Sequence, residues 1–296
     1  MDLQQTVATE LVISGRALQS GVSVTMRIMP QPVNAGIWFG RSDLPGQPAV
    51  KAEIHRVLDT LRSTSIGRDD WRISTIEHLM AAFHGLGIDN ALVLVDGAEL
   101  PNGDGSSLFF VSKILEGGLV TQDKPRNYYT IREPLYVEGV VNKNGEPFKS
   151  RLIALPGDTF EVCFTFTSDH PVTGTQYHEF HLNRDRFIQE IAPARTIAFL
   201  SEIDYLRSCG LARGGDLDSV VVVGEDGYQN ELRFPEEMVR HKILDILGDL
   251  YLLGPIKGRI IAIRSGHSLN NVLAKEIWNQ KIKVAANILD PSGSCV

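Results

Sequence analysis

Arg240-His241-Lys242-Ile243-Leu244-Asp245-Ile246-Leu247-Gly248-Asp249 is the stretch of this sequence that says most about its fold and its chemistry. Its apolar residues recur at helical spacing, and residues four apart lie on one face of a helix. His241, Asp245 and Asp249 therefore form a single polar row. An imidazole and a carboxylate at this spacing can bind one metal ion from a rigid element. A polar row on an amphipathic helix is more often a solvated face, so both interpretations stay open here.

A second pair, Glu77-His78, could supply what this row lacks. Three protein ligands, an open position for water and a neighbouring carboxylate as base make up a catalytic zinc site. The alternative is a capping box, because Ser74-Thr75-Ile76-Glu77 fits S-x-x-E with Ser74 as N-cap. The local pattern favours the cap, and one carboxylate cannot serve both purposes.

His267 follows the predicted strand Arg259–Ile263, in a segment that reads as a loop. Sites are often built from loops at strand ends, and a histidine there could act as a general acid. A turn histidine without a catalytic role fits the same pattern. The five histidines other than His78, His241 and His267 lack ligand-like spacing.

Composition limits the class of protein. A chain of 296 residues with ordinary apolar content predicts a folded protein of one to two domains. Its formal charge of −7 and scattered basic residues argue against nucleic-acid binding. The polar start lacks a secretory signal, and no apolar run reaches the roughly 18 residues of a membrane span. Cys163, Cys209 and Cys295 are odd in number and widely spaced, which predicts reduced thiols and a cytoplasmic location.

The order of elements predicts an α+β protein with two similar domains, residues 1–121 and 128–296, and an active site in the cleft between them. Each half has strands, a histidine-bearing helix, a glycine-marked turn and an apolar strand. The helix of the second half is predicted over Glu236–Leu253, with Pro235 at its entry. The polar segment Thr121–Asn127, which contains a proline, is the predicted linker.

Five motifs occur in order along nearly the whole chain: Ser74–Leu79, Leu86–Asn90, Ala194–Thr196, Val239–Asp249 and Ser265–Asn271. Together they closely resemble the UDP-3-O-acyl-N-acetylglucosamine deacetylase family. The resemblance implies hydrolysis of the acetamide of UDP-3-O-[(R)-3-hydroxyacyl]-N-acetylglucosamine, which releases acetate and a free amine. This reaction is the committed step of lipid A biosynthesis, and the family's enzymes are cytoplasmic and use zinc.

By motif match, the resemblance implies that His78, His241 and Asp245 are the zinc ligands. Glu77 would be the general base, and His267 the cation or acid beside the leaving amine. Such a site decides the capping-box conflict in favour of a Glu77 that faces the metal. The chemistry agrees, because zinc can polarise an amide carbonyl and lower the pKa of its water toward about 7.

The remaining roles follow from the same motifs. Lys242 and Thr196 would assist at the amide and its oxyanion, and Asp249 would orient His267. Arg264 is a candidate cation for the substrate's diphosphate, although a solvated strand-end arginine fits equally well. The segment Thr167–Phe180 falls where the family has an insert that helps form the acyl-chain passage.

Two positions depart from the family pattern. Gln19 replaces a histidine in Gly15–Gly21, and Gly103 replaces a bulky Met or Leu in Pro101–Ser106. These departures allow two alternatives: a protein that keeps the fold and binds a nucleotide sugar without turnover, and a deacetylase of a non-acylated UDP-sugar. Iron(II) is an alternative to zinc. We expect a small-molecule substrate, no nucleic acid, no integral membrane segment and a monomer.

Overall fold

The computed structural model describes residues 2–143 and 146–289, so Cys295 and the tail from residue 290 lie outside the described residues. Cys163 is a buried free thiol and Cys209 an exposed one. The helices are α1 Glu77–Leu86, α2 Leu108–Gly117, α3 Arg184–Arg186, α4 Leu200–Ser208, α5 Glu237–Leu250 and α6 His267–Leu289. Short 3-10 helices occupy Ile54–Arg56 and Tyr251–Leu253, and a π-helical turn occupies Phe187–Ile191. Among the described residues, no helix combines the length and apolar character that crossing a membrane requires.

Strands form the rest of the regular structure. They are β1 Leu3–Val7, β2 Leu11–Arg16, β3 Ser23–Pro30, β4 Ile37–Arg41, β5 Ala49–Lys51, β6 Val57–Asp59, β7 Ser65–Arg68, β8 Trp71–Ile73, β9 Ala91–Val95, β10 Leu119–Pro125, β11 Tyr129–Thr130, β12 Leu135–Lys143, β13 Glu146–Leu155, β14 Phe160–Thr167, β15 Thr175–His181, β16 Thr196–Phe199, β17 Val220–Val223 and β18 Ile256–Ile263. The predicted α+β class is confirmed.

Two large sheets repeat one topology. The first has the order β2-β3-β9-β4-β5, and the second has β12-β13-β18-β14-β15, with β11 beside β18. In each, the central strand is antiparallel to one neighbour and parallel to the other. Each central strand also comes after a histidine-bearing helix, β9 after α1 and β18 after α5. The repeat therefore places the two helices at equivalent positions in the two halves.

The segment predicted as a linker is largely a strand. Leu119–Pro125 forms β10, which pairs antiparallel with β1, including the partners Val7 with Leu119 and Thr6 with Val120. The linker prediction is wrong for Thr121–Pro125, because an exposed strand in a two-stranded sheet needs no apolar alternation. The domain limits at 121 and 128 remain predictions.

Helix α1 begins later than the sequence suggested, and the capping box does not form. Ile76 occupies the N-cap position without a side-chain cap, and Ser74 Oγ instead accepts a hydrogen bond from Ser65 Oγ at 2.9 Å. Thr75, with φ of 60°, adopts the left-handed region that β-branched residues rarely enter, and so turns the chain into the helix. Gly87, with φ of 77°, follows the last residue of α1 and ends the helix, whereas Gly85 lies inside it.

The N-terminus of α1 contacts α5 at the level of the backbone. A Cβ atom on Gly248 would lie 2.0 Å from the carbonyl oxygen of Glu77, so only glycine fits at this crossing. A glycine inside a helix lowers helix stability by about 1 kcal/mol relative to alanine. The close packing of α1 against α5 at Gly248 offsets this loss. The contact brings His78, in the first turn of α1, against the polar row of α5.

Gly248→Ala should therefore separate the two helices. We expect a loss of about 1–3 kcal/mol in the free energy of unfolding, the usual cost of overpacking, together with weaker metal binding. Thermal unfolding and a metal titration measure the two effects. Gly227→Ala is the matched control, because a Cβ atom on Gly227 would have no atom within 4 Å. An unchanged melting temperature in Gly248→Ala would contradict the assigned role of this contact.

Candidate functional site

His78, His241 and Asp245 meet in the protein interior. Their ligand atoms all lie within 4.8 Å of one another, and each residue is at most 3% exposed. The two imidazole rings are 5.1 Å apart between centroids and nearly perpendicular, at 87°. The structure thus brings together the three predicted ligands from two distant parts of the chain.

Two features of this cluster fit a divalent cation. Asp245 Oδ1 is buried and has no hydrogen-bond partner among the described residues, although it lies 3.5 Å from His241 Nε2. A buried carboxylate oxygen in that state is costly unless it binds a cation. His241 Nδ1 lies 3.1 Å from the carbonyl oxygen of Ala194, and donating there leaves Nε2 free to be a ligand. Two imidazoles and a carboxylate suit zinc or iron(II).

Burial and local charge give these ligands the protonation states that bind a cation. Burial, with a contribution from His241, lowers the pKa of His78 to about 3. Burial also lowers the pKa of His241, although Asp245 opposes this. Burial raises the pKa of Asp245, but Lys242 and His241 together hold it well below its usual value. At neutral pH both imidazoles are therefore neutral and the carboxylate is ionised, as metal binding requires.

The segment Ala194-Arg195-Thr196 is anchored to α5. Glu237, one turn before His241, accepts hydrogen bonds from the backbone N–H of Arg195 at 3.0 Å and from its Nε at 2.9 Å. Both side chains of this ion pair are buried. The anchor holds the Ala194 carbonyl against His241 and places Thr196 at the cavity. Sequence reasoning missed Arg195 and Glu237, although Glu237 continues the i, i+4 row of α5 by one turn.

Glu77 lines the cavity next to the metal cluster. Its Oε2 accepts a hydrogen bond from the backbone N–H of Thr64 at 2.9 Å. Burial raises the pKa of Glu77 to about 7, with His267 opposing the shift and Asp249 and Asp245 adding to it. A carboxylate with a pKa near 7 beside three metal-binding side chains has the properties of a general base.

His267 is the first residue of α6 rather than part of a loop, and Asp249 holds its ring. His267 Nδ1 lies 2.9 Å from Asp249 Oδ2, while Nε2 faces Asp245 Oδ2 at 4.0 Å. Asp249 also accepts hydrogen bonds from Asn270 Nδ2 at 2.8 Å and Thr64 Oγ1 at 2.6 Å. Burial lowers the pKa of His267, but Asp249 and then Asp245 outweigh it and raise the pKa to about 10. The imidazole is therefore protonated at neutral pH.

Thr64 and Asn270 are further residues of the site to which sequence reasoning gave no role. Thr64 donates a hydrogen bond to Glu77 through its backbone N–H and another to Asp249 through its hydroxyl. It therefore positions both the Glu77 carboxylate and the carboxylate that holds His267. No local pattern marks Thr64, because its partners are 13 and 185 residues away along the chain. Asn270 lies three residues after His267 in α6, so the two side chains share one face of the helix. This spacing is the sequence feature that could have indicated a role for Asn270.

The cluster opens into a cavity of about 300 Å³. The walls of this metal cavity include the three predicted metal ligands (His78, His241 and Asp245) and four of the five predicted catalytic residues: Glu77, Thr196, Lys242 and His267. Lys242 Nζ donates to Asp245 Oδ2 at 2.8 Å. Asp249 lies behind His267 and Arg264 lies outside, as neither lines this cavity.

Arg264 lines an adjacent cavity of about 200 Å³, which Lys242 also borders. Aromatic rings of Phe164, Phe166 and Phe199 form much of its wall. Arg264 Nη2 donates to Thr167 Oγ1 at 3.3 Å. Arg264 thus lines a second cavity, and Lys242 lies between this cavity and the one that contains the three metal-binding side chains.

The segment Thr167–Phe180, predicted to help form the acyl passage, is the end of β14, a turn and most of β15. It contributes Thr167, Ser168 and Asp169 to the cavity of Arg264. A separate cavity of about 410 Å³ lies on the unit β16–α4–β17, where Ile203, Val220 and Val222 form apolar walls. Leu18 packs with Val220 and Val222 and also lines the metal cavity.

The two departures from the family pattern affect packing. Gln19 Oε1 accepts the backbone N–H of Ala212 at 3.1 Å, so its side chain anchors a loop. A Cβ atom on Gly103 would lie 2.2 Å from Cγ of Phe109, whose ring fills the space beside this glycine. Neither residue is among those that line the metal cavity.

Comparison with known proteins gives a consistent result. The family model "UDP-3-O-acyl N-acetylglycosamine deacetylase" matches residues 4–279. A protein of Syntrophotalea carbinolica named UDP-3-O-acyl-N-acetylglucosamine deacetylase is 41% identical over 94% of this chain and 88% of its own length. Proteins of the same name from Psychrobacter arcticus and Acidithiobacillus ferrooxidans are 38% and 42% identical. They cover 99% and 93% of this chain, and 90% and 89% of their own lengths.

Proposed function

Since this chain belongs to the UDP-3-O-acyl-N-acetylglucosamine deacetylase family, we propose how its own residues carry out that reaction. It is a metal-dependent hydrolase of lipid A biosynthesis that removes the N-acetyl group from UDP-3-O-acyl-N-acetylglucosamine. The observation that carries the mechanism is the convergence of His78, His241 and Asp245 beside Glu77 and His267. A cytoplasmic location follows from the family's role and stays a prediction, as does the monomeric state.

In our proposal, His78, His241 and Asp245 hold one zinc ion. The bound ion would polarise the amide carbonyl and lower the pKa of a water molecule. The unpartnered Oδ1 of Asp245 and the orientation of His241 by Ala194 support this ligand set. Iron(II) fits the same donors, and the residues alone do not choose between the two metals.

Glu77 and His267 divide the proton transfers. Glu77, with its carboxylate held by the Thr64 N–H, takes the proton from the attacking water. His267 is the proton donor to the leaving amine, because its pairing with Asp249 keeps the ring protonated. The two groups line one cavity, so the base at the attacking water and the acid at the amide nitrogen can act on the same bound amide.

Thr196 and Lys242 provide further polar groups at the amide. Thr196, the first residue of β16, lines the cavity, and its hydroxyl can donate a hydrogen bond to the oxyanion that develops in the transition state. Lys242 is hydrogen-bonded to Asp245 and borders the cavity of Arg264.

We assign the substrate's diphosphate and nucleotide to the cavity of Arg264, where Lys242 and Arg264 supply positive charge and the phenylalanine rings supply a stacking surface.

The acyl chain requires an apolar channel, and two regions are candidates. The cavity on β16–α4–β17 has walls of Ile203, Val220 and Val222, and Leu18 connects its apolar cluster to the metal cavity. The segment Thr167–Phe180, by contrast, borders the cavity of Arg264. We therefore assign the acyl chain to the former and retain the segment as part of the nucleotide compartment.

The pH dependence of kcat/KM should be bell-shaped. The base must be ionised, so activity should rise through the pKa of Glu77, which burial places at about 7 and the bound cation moves lower. The acid must be protonated, so activity should fall as the pH rises through the pKa of His267, about 10 without the cation and lower with it. Asp249→Asn removes the main group that raises this pKa and should move the alkaline limb to lower pH. An alkaline limb that stays in place in Asp249→Asn would contradict the role of His267.

The substrate assignment is tested by acetate release from acylated and non-acylated UDP-N-acetylglucosamine. We expect kcat/KM to favour the acylated substrate by about a hundredfold or more, because each buried CH₂ contributes about 0.8 kcal/mol. A preference for the non-acylated compound would refute the lipid assignment. Tight binding of either compound without turnover would instead indicate a nucleotide-sugar-binding protein.

A further inference from the structure

A cavity of about 360 Å³ lies beside the C-terminal end of α5 and the middle of α6. The 3-10 helix Tyr251–Leu253, which continues α5, forms one side of it. Trp278 and Lys281 of α6 form another, and Lys51 of the edge strand β5 faces them. None of the residues that line it lines the catalytic cavity. The cavity has no part in the proposed reaction.

Two lysines give this cavity its charge. Lys51 Nζ lies 3.3 Å from Glu53 Oε1, and Lys281 forms no ion pair with any described residue. Instead, Lys281 Nζ lies 5.5 Å from the ring centroid of Trp278 and 5.8 Å from that of Tyr129. Burial and the charge of Lys51 lower the pKa of Lys281, which Glu53 opposes. Both ammonium groups therefore belong to the wall of one cavity.

The rest of the wall is apolar or carries amides. Leu252, Leu253 and Pro255 provide aliphatic surface next to Trp278. Asp89 also borders the cavity, but its carboxylate is paired with Arg126 at 2.9 Å. A ligand here therefore meets two cations, two carboxylates that are already paired (Glu53 and Asp89), several amide groups, and an apolar floor formed by Leu252, Leu253, Pro255 and Trp278.

We propose that this cavity binds a small phosphorylated molecule, with its phosphate between Lys51 and Lys281 and an aromatic or aliphatic body against Trp278. Lysine binds phosphate as a compact point charge, and two lysines that line one cavity can both interact with the same anion. The volume lies within the range of small-molecule sites, about 300–1,000 Å³. A body beyond the phosphate is needed, because a bare phosphate ion would leave the apolar floor uncovered.

The position of this site connects it to the catalytic helices. Trp278 stands eleven residues after His267, which is about 16 Å along α6 at 1.5 Å per residue. Tyr251 follows Asp249 by two residues. A ligand there contacts both elements that support the His267–Asp249 pair and does not reach the metal cluster. Its binding should stabilise the folded state by mass action.

Calorimetric titration of the full chain with phenyl phosphate and with inorganic phosphate tests the proposal. Phenyl phosphate should bind more tightly than inorganic phosphate, because only it covers the apolar floor. Lys51→Gln and Lys281→Gln should each weaken phenyl phosphate binding about tenfold, the scale of one charge-assisted hydrogen bond. Lys113→Gln is the matched control, because Lys113 is an exposed lysine paired with Glu116 elsewhere on the surface.

Melting temperatures of the variants show whether they are folded, and Lys281→Arg, which keeps the charge, should retain most of the affinity. Equal affinities in Lys51→Gln, Lys281→Gln and Lys113→Gln would overturn the proposal. Absence of phenyl phosphate binding to the unsubstituted chain would do the same. Binding that is lost in Lys242→Gln but kept in Lys51→Gln would place the anion beside the catalytic cavity, and would also refute it.

Discussion

Glu77→Gln should reduce kcat/KM about a thousandfold, within the 10²–10⁴ range of general acid–base catalysis. The amide keeps the shape of Glu77 and can still accept the Thr64 N–H through its carbonyl oxygen. It cannot take a proton from water at neutral pH. The metal ligands are untouched, so the variant should bind one equivalent of metal with unchanged affinity.

The measurement combines acetate release with metal content after dialysis. Glu116→Gln is the control, because Glu116 is exposed and pairs only with Lys113 among the described residues. If Glu77→Gln kept near-normal kcat/KM, another group would have to be the base. If it lost its metal, Glu77 would contribute to binding the ion rather than to proton transfer alone.

His78→Ala should abolish measurable activity by weakening metal binding roughly a thousandfold. This estimate takes one of three ligands as about a third of a binding free energy of roughly 10–16 kcal/mol. The loss also leaves His241 and Asp245 without the ligand that α1 contributes. Metal affinity, measured by competition with a chromophoric chelator, should fall together with acetate release.

His55→Ala is the control for this substitution, because the His55 side chain is about half exposed and does not line the cavity next to the three ligands. Chelator treatment of the unsubstituted chain should also remove activity, and zinc should restore it. Full activity in His78→Ala at low free metal would contradict the assignment of this ligand.

The parts of the site that lie on one helix could be predicted from the sequence. His241, Asp245 and Asp249 share a face because the repeat of α5 is local, and their order along the helix fixes their geometry. The apolar strand predicted in the first half is Ala91–Val95, where an uninterrupted apolar run leaves little ambiguity. The combination of Glu77-His78 with this row was one of two interpretations of the sequence, and the resemblance favoured it over the capping box. In the structure, the absence of a side chain at Gly248 allows α1 and α5 to make this contact.

The parts that depend on distant partners could not be predicted from local patterns. Thr64 lies in an unremarkable polar loop and becomes important only because α1 and α5 both reach it. The S-x-x-E pattern at Ser74 indicated a cap, but the left-handed turn at Thr75 directs Glu77 into the cavity instead. Residues Thr121–Pro125 were mistaken for part of a linker because the pairing of their strand with β1 involves residues more than a hundred positions away.

An anomalous-scattering map from a zinc-soaked crystal tests the central assignment most directly. We predict one strong peak about 2.0–2.2 Å from a ring nitrogen of His78, from His241 Nε2 and from Asp245 Oδ1. That result would place the ion where the unpartnered carboxylate oxygen and the two neutral imidazoles converge. A peak that is absent from this cluster, or that lies within bonding distance of only one of the three side chains, would contradict the account.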